Sequence, residues 1–289
     1  MHKAKLCKKL KNKTVICTSC QRYCQIGDGK MGFCQFRENR NGILYSKNYG
    51  YFSGICVDPI EKKPFYHFHP GTEVLSLGSW GCNFRCKQCQ NWHCSWGAKE
   101  VNINNYISPK NLVTMAKQRN LPGIAFTYNE PVIWPEFVHD AAKLAKVNGL
   151  YTVFVSNGSW SQESLAYYGK YIDAANIDLK GWGEKVYQKQ GAYFGQIPQN
   201  LILAFKKYKI HLELTTLVIP DINDSCEQFN LISNWIVSNL SPDIPWHLLR
   251  FFPKLSPDKD FCKLATTPLE TLKKAQKIAK KNGLTNVYI

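Results

Sequence analysis

From about residue 74 the chain repeats one pattern six times: a short apolar run, then a longer stretch with apolar residues at helical spacing. The runs are Val74–Leu77, Gly123–Thr127, Thr152–Ser156, Ala174–Leu179, Glu213–Val218 and Trp246–Arg250. The amphipathic stretches are Pro109–Arg119, with Ser108 as N-cap, then Pro135–Val147, Gln162–Tyr168, Pro198–Tyr208, Cys226–Leu240 and Pro268–Lys281. Asn148-Gly149 and Asn282-Gly283 supply left-handed ends for two of them. Strand–helix alternation of this kind builds a parallel sheet covered by helices, so the class is α/β. The runs are apolar on both faces, as a sheet buried on both sides requires. A closed eight-unit barrel typically needs about 250 residues. Residues 71–289 supply six units and a seventh strand at Asn286–Ile289. The expected core is therefore a partial (β/α)6 TIM-like barrel, preceded by a Cys-rich metal-binding lobe over residues 1–70.

Composition narrows the chemistry. Twelve cysteines occur in 289 residues, and the N-terminus, MHKAKLCKKLKNK, has no apolar stretch of the kind a signal peptide needs. No run approaches the 18 or so apolar residues of a membrane span. A cytoplasmic location is expected, where clustered cysteines mean metal or redox chemistry rather than disulfides. The formal charge of +16 raises the alternative of a zinc-dependent nucleic-acid-binding protein. Only six of the 37 basic residues are Arg, and the lysines are dispersed, many on the wet face of the last helix. Base readout and bidentate phosphate recognition favour Arg, so the composition argues against nucleic acid.

The sharpest local signal is Cys82-Asn-Phe-Arg-Cys86-Lys-Gln-Cys89, directly after the first strand. Barrel-type folds place active sites in such loops. Three thiolates within eight residues can converge on one centre, either zinc with a further ligand or an iron–sulfur cluster. CxxxCxxC in this position resembles the radical S-adenosylmethionine (SAM) superfamily. The resemblance implies a 4Fe–4S cluster on Cys82, Cys86 and Cys89, whose open iron chelates SAM. One electron then cleaves SAM to a 5′-deoxyadenosyl radical that abstracts hydrogen from a substrate, with flavodoxin or ferredoxin as reductant. It also implies cofactor contacts at strand ends. Asn129 and Glu130 match a Gly-Gly-Glu-like segment that contacts the SAM amino group, whereas Tyr128 stands where that segment has Gly. Ser156 and Asn157 match a ribose-contacting strand end, and Asp178-Leu-Lys180 matches a segment of glycyl-radical activating enzymes. Gln88 stands just before the third Cys, where an aromatic residue is common, and Gln90 stands just after it. Gln88 can donate to adenine, and Phe84, Trp92 or Trp80 can supply the aromatic surface. His247 and Arg250, on the sixth strand, are placed to reach the same mouth, a buried structural role being the other reading of His247.

The N-terminal segment carries a second set, Cys17, Cys20, Cys24 and Cys34, spaced C-x2-C-x3-C-x9-C with Gly27, Gly29 and Gly32 between the last two. Four thiols in a small lobe suggest a second metal, zinc or an iron–sulfur cluster. This set, with Arg37–Arg40, Tyr49-Gly50 and Asp58–His67, resembles the radical SAM enzymes of the AmmeMemoRadiSam system, similar to pyruvate formate-lyase activating enzyme. That resemblance implies AMMECR/Memo-type partner proteins and a substrate that is either a small molecule or a protein glycine. Members of that family continue past the last strand with a short tail, which this chain is expected to lack. Asp58, Glu61, Lys62 and Lys63 either line a substrate mouth or pair with one another. Cys7, Cys56, Cys94, Cys226 and Cys262 read as isolated thiols, with Cys94 the nearest to the cluster motif.

Overall fold

The computed structural model describes residues 1–289. Six short strands make the N-terminal lobe: β1 (His2–Lys3), β2 (Cys7–Lys9), β3 (Val15–Cys17), β4 (Gln25–Ile26), β5 (Arg37–Arg40) and β6 (Ile43–Ser46). They form two three-stranded antiparallel sheets, β1-β6-β5 and β2-β3-β4. The main sheet has eight strands in sequential order: β7 (Gly54–Pro59), β8 (Glu73–Gly78), β9 (Gly123–Phe126), β10 (Tyr151–Ser156), β11 (Ala174–Asp178), β12 (His211–Val218), β13 (Trp246–Arg250) and β14 (Val287–Tyr288). Strands β8 to β14 are parallel, and β7 pairs antiparallel with β8. The ends, β7 and β14, do not pair, so the sheet is an open, partial TIM-like barrel.

Helices α1 (Pro109–Gln118), α2 (Pro135–Val147), α3 (Gln162–Tyr168), α4 (Glu184–Lys189), α5 (Ile197–Lys206), α6 (Cys226–Asn239) and α7 (Leu269–Lys281) connect the strands. Ser108 and Ser225 accept the backbone N–H groups of Asn111 and Gln228, and Ser161 and Ser164 form a reciprocal capping box. Each cap satisfies amide donors that the first helical turn leaves free. Gly149 and Gly283 follow α2 and α7 with positive φ, as their sequence positions suggest.

The expected seventh parallel strand is present as β14, and one feature differs from the sequence expectation: an eighth, antiparallel strand, β7, comes from within the segment assigned to the N-terminal lobe. Its sequence, Gly-Ile-Cys-Val-Asp-Pro, carries little alternation, and its strand form depends on six paired positions with β8. The distinctive stretch after it then turns into the barrel. Phe65 and Ile60 are fully buried against Val74, Ala125, Tyr151, Val153 and Ala174. The backbone N–H groups of Tyr66 and His67 donate to the Glu213 carboxylate at 3.0 and 2.9 Å, and Asn176 donates to the Pro64 carbonyl at 2.8 Å. His67 reaches Tyr288 of β14 at 2.6 Å. Residues 60–68 thus plug the barrel and tie its two open edges.

The lobe is joined to the barrel by a buried, bidentate ion pair. Arg37 of β5 holds Glu136, in the first turn of α2, at 2.5 and 2.9 Å, and both side chains are 1% exposed. The Lys5 N–H adds a third bond to the carboxylate. Burial works against both charges, but mutual attraction wins, so the Glu136 pKa is lowered and that of Arg37 raised. Substitution Glu136→Gln leaves a buried guanidinium without its counter-charge and should cost about 3–5 kcal/mol. The urea unfolding midpoint measures this, and an Arg37→Met/Glu136→Leu double variant should recover much of the loss. Glu213 gives a pH prediction. Burial raises its pKa, but bonds from His211, His247 and two backbone amides lower it from 4.5 to about 2. Its stabilisation is complete above pH 4.5 and is lost as pH falls toward 2. Acid titration of stability should lose that component in Glu213→Gln.

Candidate active site

The loop after β8 carries Cys82, Cys86 and Cys89 and contains no regular helix or strand. It is shaped by its neighbours. Gly81 has φ +99°, and a Cβ there would lie 2.4 Å from the Phe36 ring and 2.9 Å from the Cys34 carbonyl, so only glycine fits. Arg85 and Lys87 donate backbone N–H bonds to the carbonyls of Gly191 and Gln190. The Arg85 guanidinium donates to the carbonyls of Cys82 and Phe84. Asn129, at the end of β9, accepts the Ser79 N–H and donates to the Gly81 carbonyl, at 2.9 and 2.8 Å.

The three thiols line one cavity of about 480 Å³, sited where β9 to β12 end. Gln88, Gln90, Asn129, Glu130, Ser156, Asn157, Asp178 and Lys180 line it too. The three sulfurs do not stand in the tight polyhedron of an assembled site, and neither does any other group of three or more His, Cys, Asp or Glu side chains. Thiol ligation is coupled to deprotonation and local ordering. Burial raises all three thiol pKa values, that of Cys89 to about 12, with Cys86 adding to the rise, while Lys180 works against it at Cys86 and Cys89. Glu130 is buried, which pushes its carboxyl up to about 7 despite donors from Asn157 N–H, Val132 N–H and Ser156 Oγ at 2.7–3.0 Å. Asp178 and Lys180 pair at 3.1 Å; burial opposes the Lys180 charge, but Asp178 and then Cys86 raise its pKa.

Gln88 takes a different role from the donor anticipated. Its amide nitrogen is committed to Gln190 Oε1 at 2.6 Å, and Gln190 in turn donates to the Lys180 carbonyl. Its Oε1 is buried with no partner, so Gln88 presents an acceptor. His247 takes the buried structural role rather than a place at the mouth. It does not line the cavity; it is 2% exposed, sits 2.8 Å from Glu213, and packs against Tyr66 and Tyr288. The residue belongs to the plug because the Glu213 carboxylate and the rings of Tyr66 and Tyr288 hold it there, although its register partner Thr215 lines the cavity. Arg250 donates to the Thr267 carbonyl instead of reaching the mouth. Of the aromatic candidates, only Phe84 lines the cavity.

Tyr128 and Gln190 were not identified as site residues from sequence, yet both line the cavity. Tyr128 has φ +69°, the conformation a glycine adopts without strain. Its ring presses on Gly78, where a Cβ would lie 2.8 Å away, and its hydroxyl donates to Asp58 at 3.0 Å. Asp58 also binds Lys62 and Lys63, at 2.8 and 2.7 Å, and both lysines line the cavity. The Tyr-for-Gly mismatch was the available signal. Gln190 had none, since only folding of the α4 end onto the cysteine loop brings it there. Cys94 stays outside the cavity, bonded to the Asn91 carbonyl. The second set, Cys17, Cys20, Cys24 and Cys34, lines a separate small cavity on the lobe side of the loop.

The radical SAM superfamily model matches residues 79–229, which span the cysteine loop and the strand ends that face it. The uncharacterized protein MJ0808 of Methanocaldococcus jannaschii is 38% identical over 289 residues, 100% of this chain and 85% of that protein. The pyruvate formate-lyase-activating enzyme of Clostridium pasteurianum is 22% identical over 209 residues, 69% of this chain and 87% of that enzyme. A radical SAM methyltransferase from Sphaerobacter thermophilus shares the fold with a TM-score of 0.55 at 12% identity, covering 76% of this chain and 66% of that one. With three thiols on the loop after β8 and polar strand ends around one cavity, the chain belongs to the radical SAM superfamily and is an enzyme of that class.

Proposed function

We propose that Cys82, Cys86 and Cys89 hold a 4Fe–4S cluster and that the strand ends around them hold SAM. The observation that carries this reading is the single cavity of about 480 Å³ shared by three thiols, a buried carboxylate and an unpartnered amide oxygen. Bound there, the cluster and SAM supply one-electron cleavage to a 5′-deoxyadenosyl radical that takes hydrogen from the substrate.

The chain's own residues divide the binding work. Glu130, held by three donors, presents a carboxyl where the SAM ammonium is expected, and that cation would favour its ionised form. Gln88 Oε1 offers an acceptor suited to the adenine amine, and Phe84 offers an apolar surface. Ser156 and Asn157 form the floor beside Glu130, with Asn157 tied to Asn83 in the cysteine loop. Lys180 carries positive charge beside Cys86 and favours its thiolate. Gln90, exposed at the rim, is positioned to cover the mouth.

The substrate we assign is a small molecule rather than a protein glycine. Lys62, Lys63 and Pro64 close the cavity on the plug side, which leaves less room for a peptide loop. Asp58 balances only one of its two lysines, so that wall carries one surplus positive charge and suits an anionic group. An electron donor such as flavodoxin or ferredoxin completes the system, and AMMECR/Memo-type proteins are the partners the sequence resemblance suggests. The fold has no helix long and apolar enough to cross a membrane. The family membership accounts for the Cys82–Cys89 motif without the nucleic-acid alternative.

Anaerobic protein should contain about four irons at this site, and Cys82→Ser/Cys86→Ser/Cys89→Ser should lose them together with dithionite-dependent 5′-deoxyadenosine formation. Retention of that activity without the three thiols would overturn the assignment. EPR of the reduced enzyme mixed with SAM and a co-expressed AMMECR- or Memo-type protein should show no glycyl radical; its appearance would assign a protein substrate.

A further inference from the structure

We infer that Cys17, Cys20, Cys24 and Cys34 form a mononuclear tetrathiolate site that takes a single zinc-like divalent ion, not a second iron–sulfur cluster. All four side chains line one cavity between the lobe and the back of the cysteine loop, and their sulfurs, like those of the other set, must draw together to ligate an ion. They arrive there from separate pieces of backbone: Cys17 at the end of β3, Cys20 and Cys24 in the turn after it, and Cys34 in the loop before β5. The spacing provides paired ligands on one knuckle and a distant fourth that closes the loop.

Cavity size favours the smaller of the two kinds of metal site. The space between the four thiols is about 10 Å³, room for one water-sized sphere. A 4Fe–4S cube brings eight atoms besides its cysteine sulfurs, more than this space holds unless those thiols move apart. The cavity at Cys82, Cys86 and Cys89 is about 480 Å³, so one chain presents one thiol set of each scale.

A second observation points to an anionic occupant. Arg37 lines the thiol cavity and is 1% exposed. Its two terminal nitrogens bind Glu136, but its Nε is buried with no partner. Four thiolates on one divalent ion carry a net charge of −2, and their sulfurs are acceptors for an N–H donor of this kind. Arg22 lines the same cavity and adds positive charge. Ion binding converts four thiols to thiolates and releases four protons to solvent; no electron is transferred.

The site would act on the catalytic loop by contact. Asn83, between Cys82 and Phe84, lines the thiol cavity, and its carbonyl accepts from Arg22 Nε at 2.6 Å. The Phe33 carbonyl, beside Cys34, accepts from Arg85 of the loop at 2.5 Å. A fixed knuckle therefore fixes one side of the active-site loop.

The test uses the full chain with Cys82, Cys86 and Cys89 all replaced by Ser, purified anaerobically and dialysed against zinc. Elemental analysis should find about one zinc and no iron per chain. Cobalt(II) in place of zinc should show the intense thiolate charge-transfer and d–d absorption of a tetrahedral four-thiolate site. Adding Cys24→Ser should weaken that absorption and lower retained zinc at least tenfold under a competing chelator. Cys7, opposite Cys17 in the β2–β3 register, is outside the cavity, so Cys7→Ser should leave both readouts unchanged. Iron–sulfur absorption surviving in the triple variant would overturn the mononuclear assignment. Failure to bind zinc or cobalt in a triple variant with native far-UV circular dichroism would do the same. So would loss of metal on Cys7→Ser.

Discussion

The loop that bears Cys82, Cys86 and Cys89 has no secondary structure of its own, and the rest of the molecule is arranged to satisfy it. A buried loop must find partners for its backbone groups outside itself. Here they come from three directions: the strand end at Asn129, the turn at Gln190 and Gly191, and the N-terminal lobe at Phe33 and Cys34. The lobe can press on the loop because Arg37 and Glu136 anchor it to α2. Fixing the lobe therefore fixes the three thiols.

The open barrel creates a second requirement. Seven parallel strands and one antiparallel edge leave a gap, and the interior below the mouth is polar, with Asn176, Glu213, Thr215 and His247 all buried. Buried polar groups are costly unless paired. Residues 60–68 meet that need with backbone amides for Glu213, a carbonyl for Asn176 and Phe65 for the apolar floor. The same segment sends Lys62 and Lys63 toward the cavity, so the element that completes the core also shapes the wall facing the substrate.

Most of the sheet was legible because its signals are local. The six apolar runs became β8 to β13, with bounds shifted by no more than two residues, and Ser108 caps α1 as its position suggested. The strand ends around the cysteine loop were legible for the same reason: a strand's direction puts its last residues at one mouth. What escaped depends on contacts distant in sequence. β7 is a strand because β8 pairs with it. Glu213 holds His247 in the plug from 34 residues away, and Gln190 reaches Gln88 across 102 residues. Tyr128 stood out in the sequence only as a mismatch; its role against Gly78 and Asp58 needed the packed structure.

By itself, the sequence determined the α/β alternation, the order of the strands and the division of seven cysteines into a set of three and a set of four. Those follow from periodicity and spacing, which are properties of neighbouring residues. Tertiary structure alone decided that the two sets open onto cavities of very different size, on opposite sides of one loop. It also decided which polar atoms there remain unpartnered. Volume and hydrogen-bond completion are set by groups that converge from far along the chain, and spacing carries no record of them.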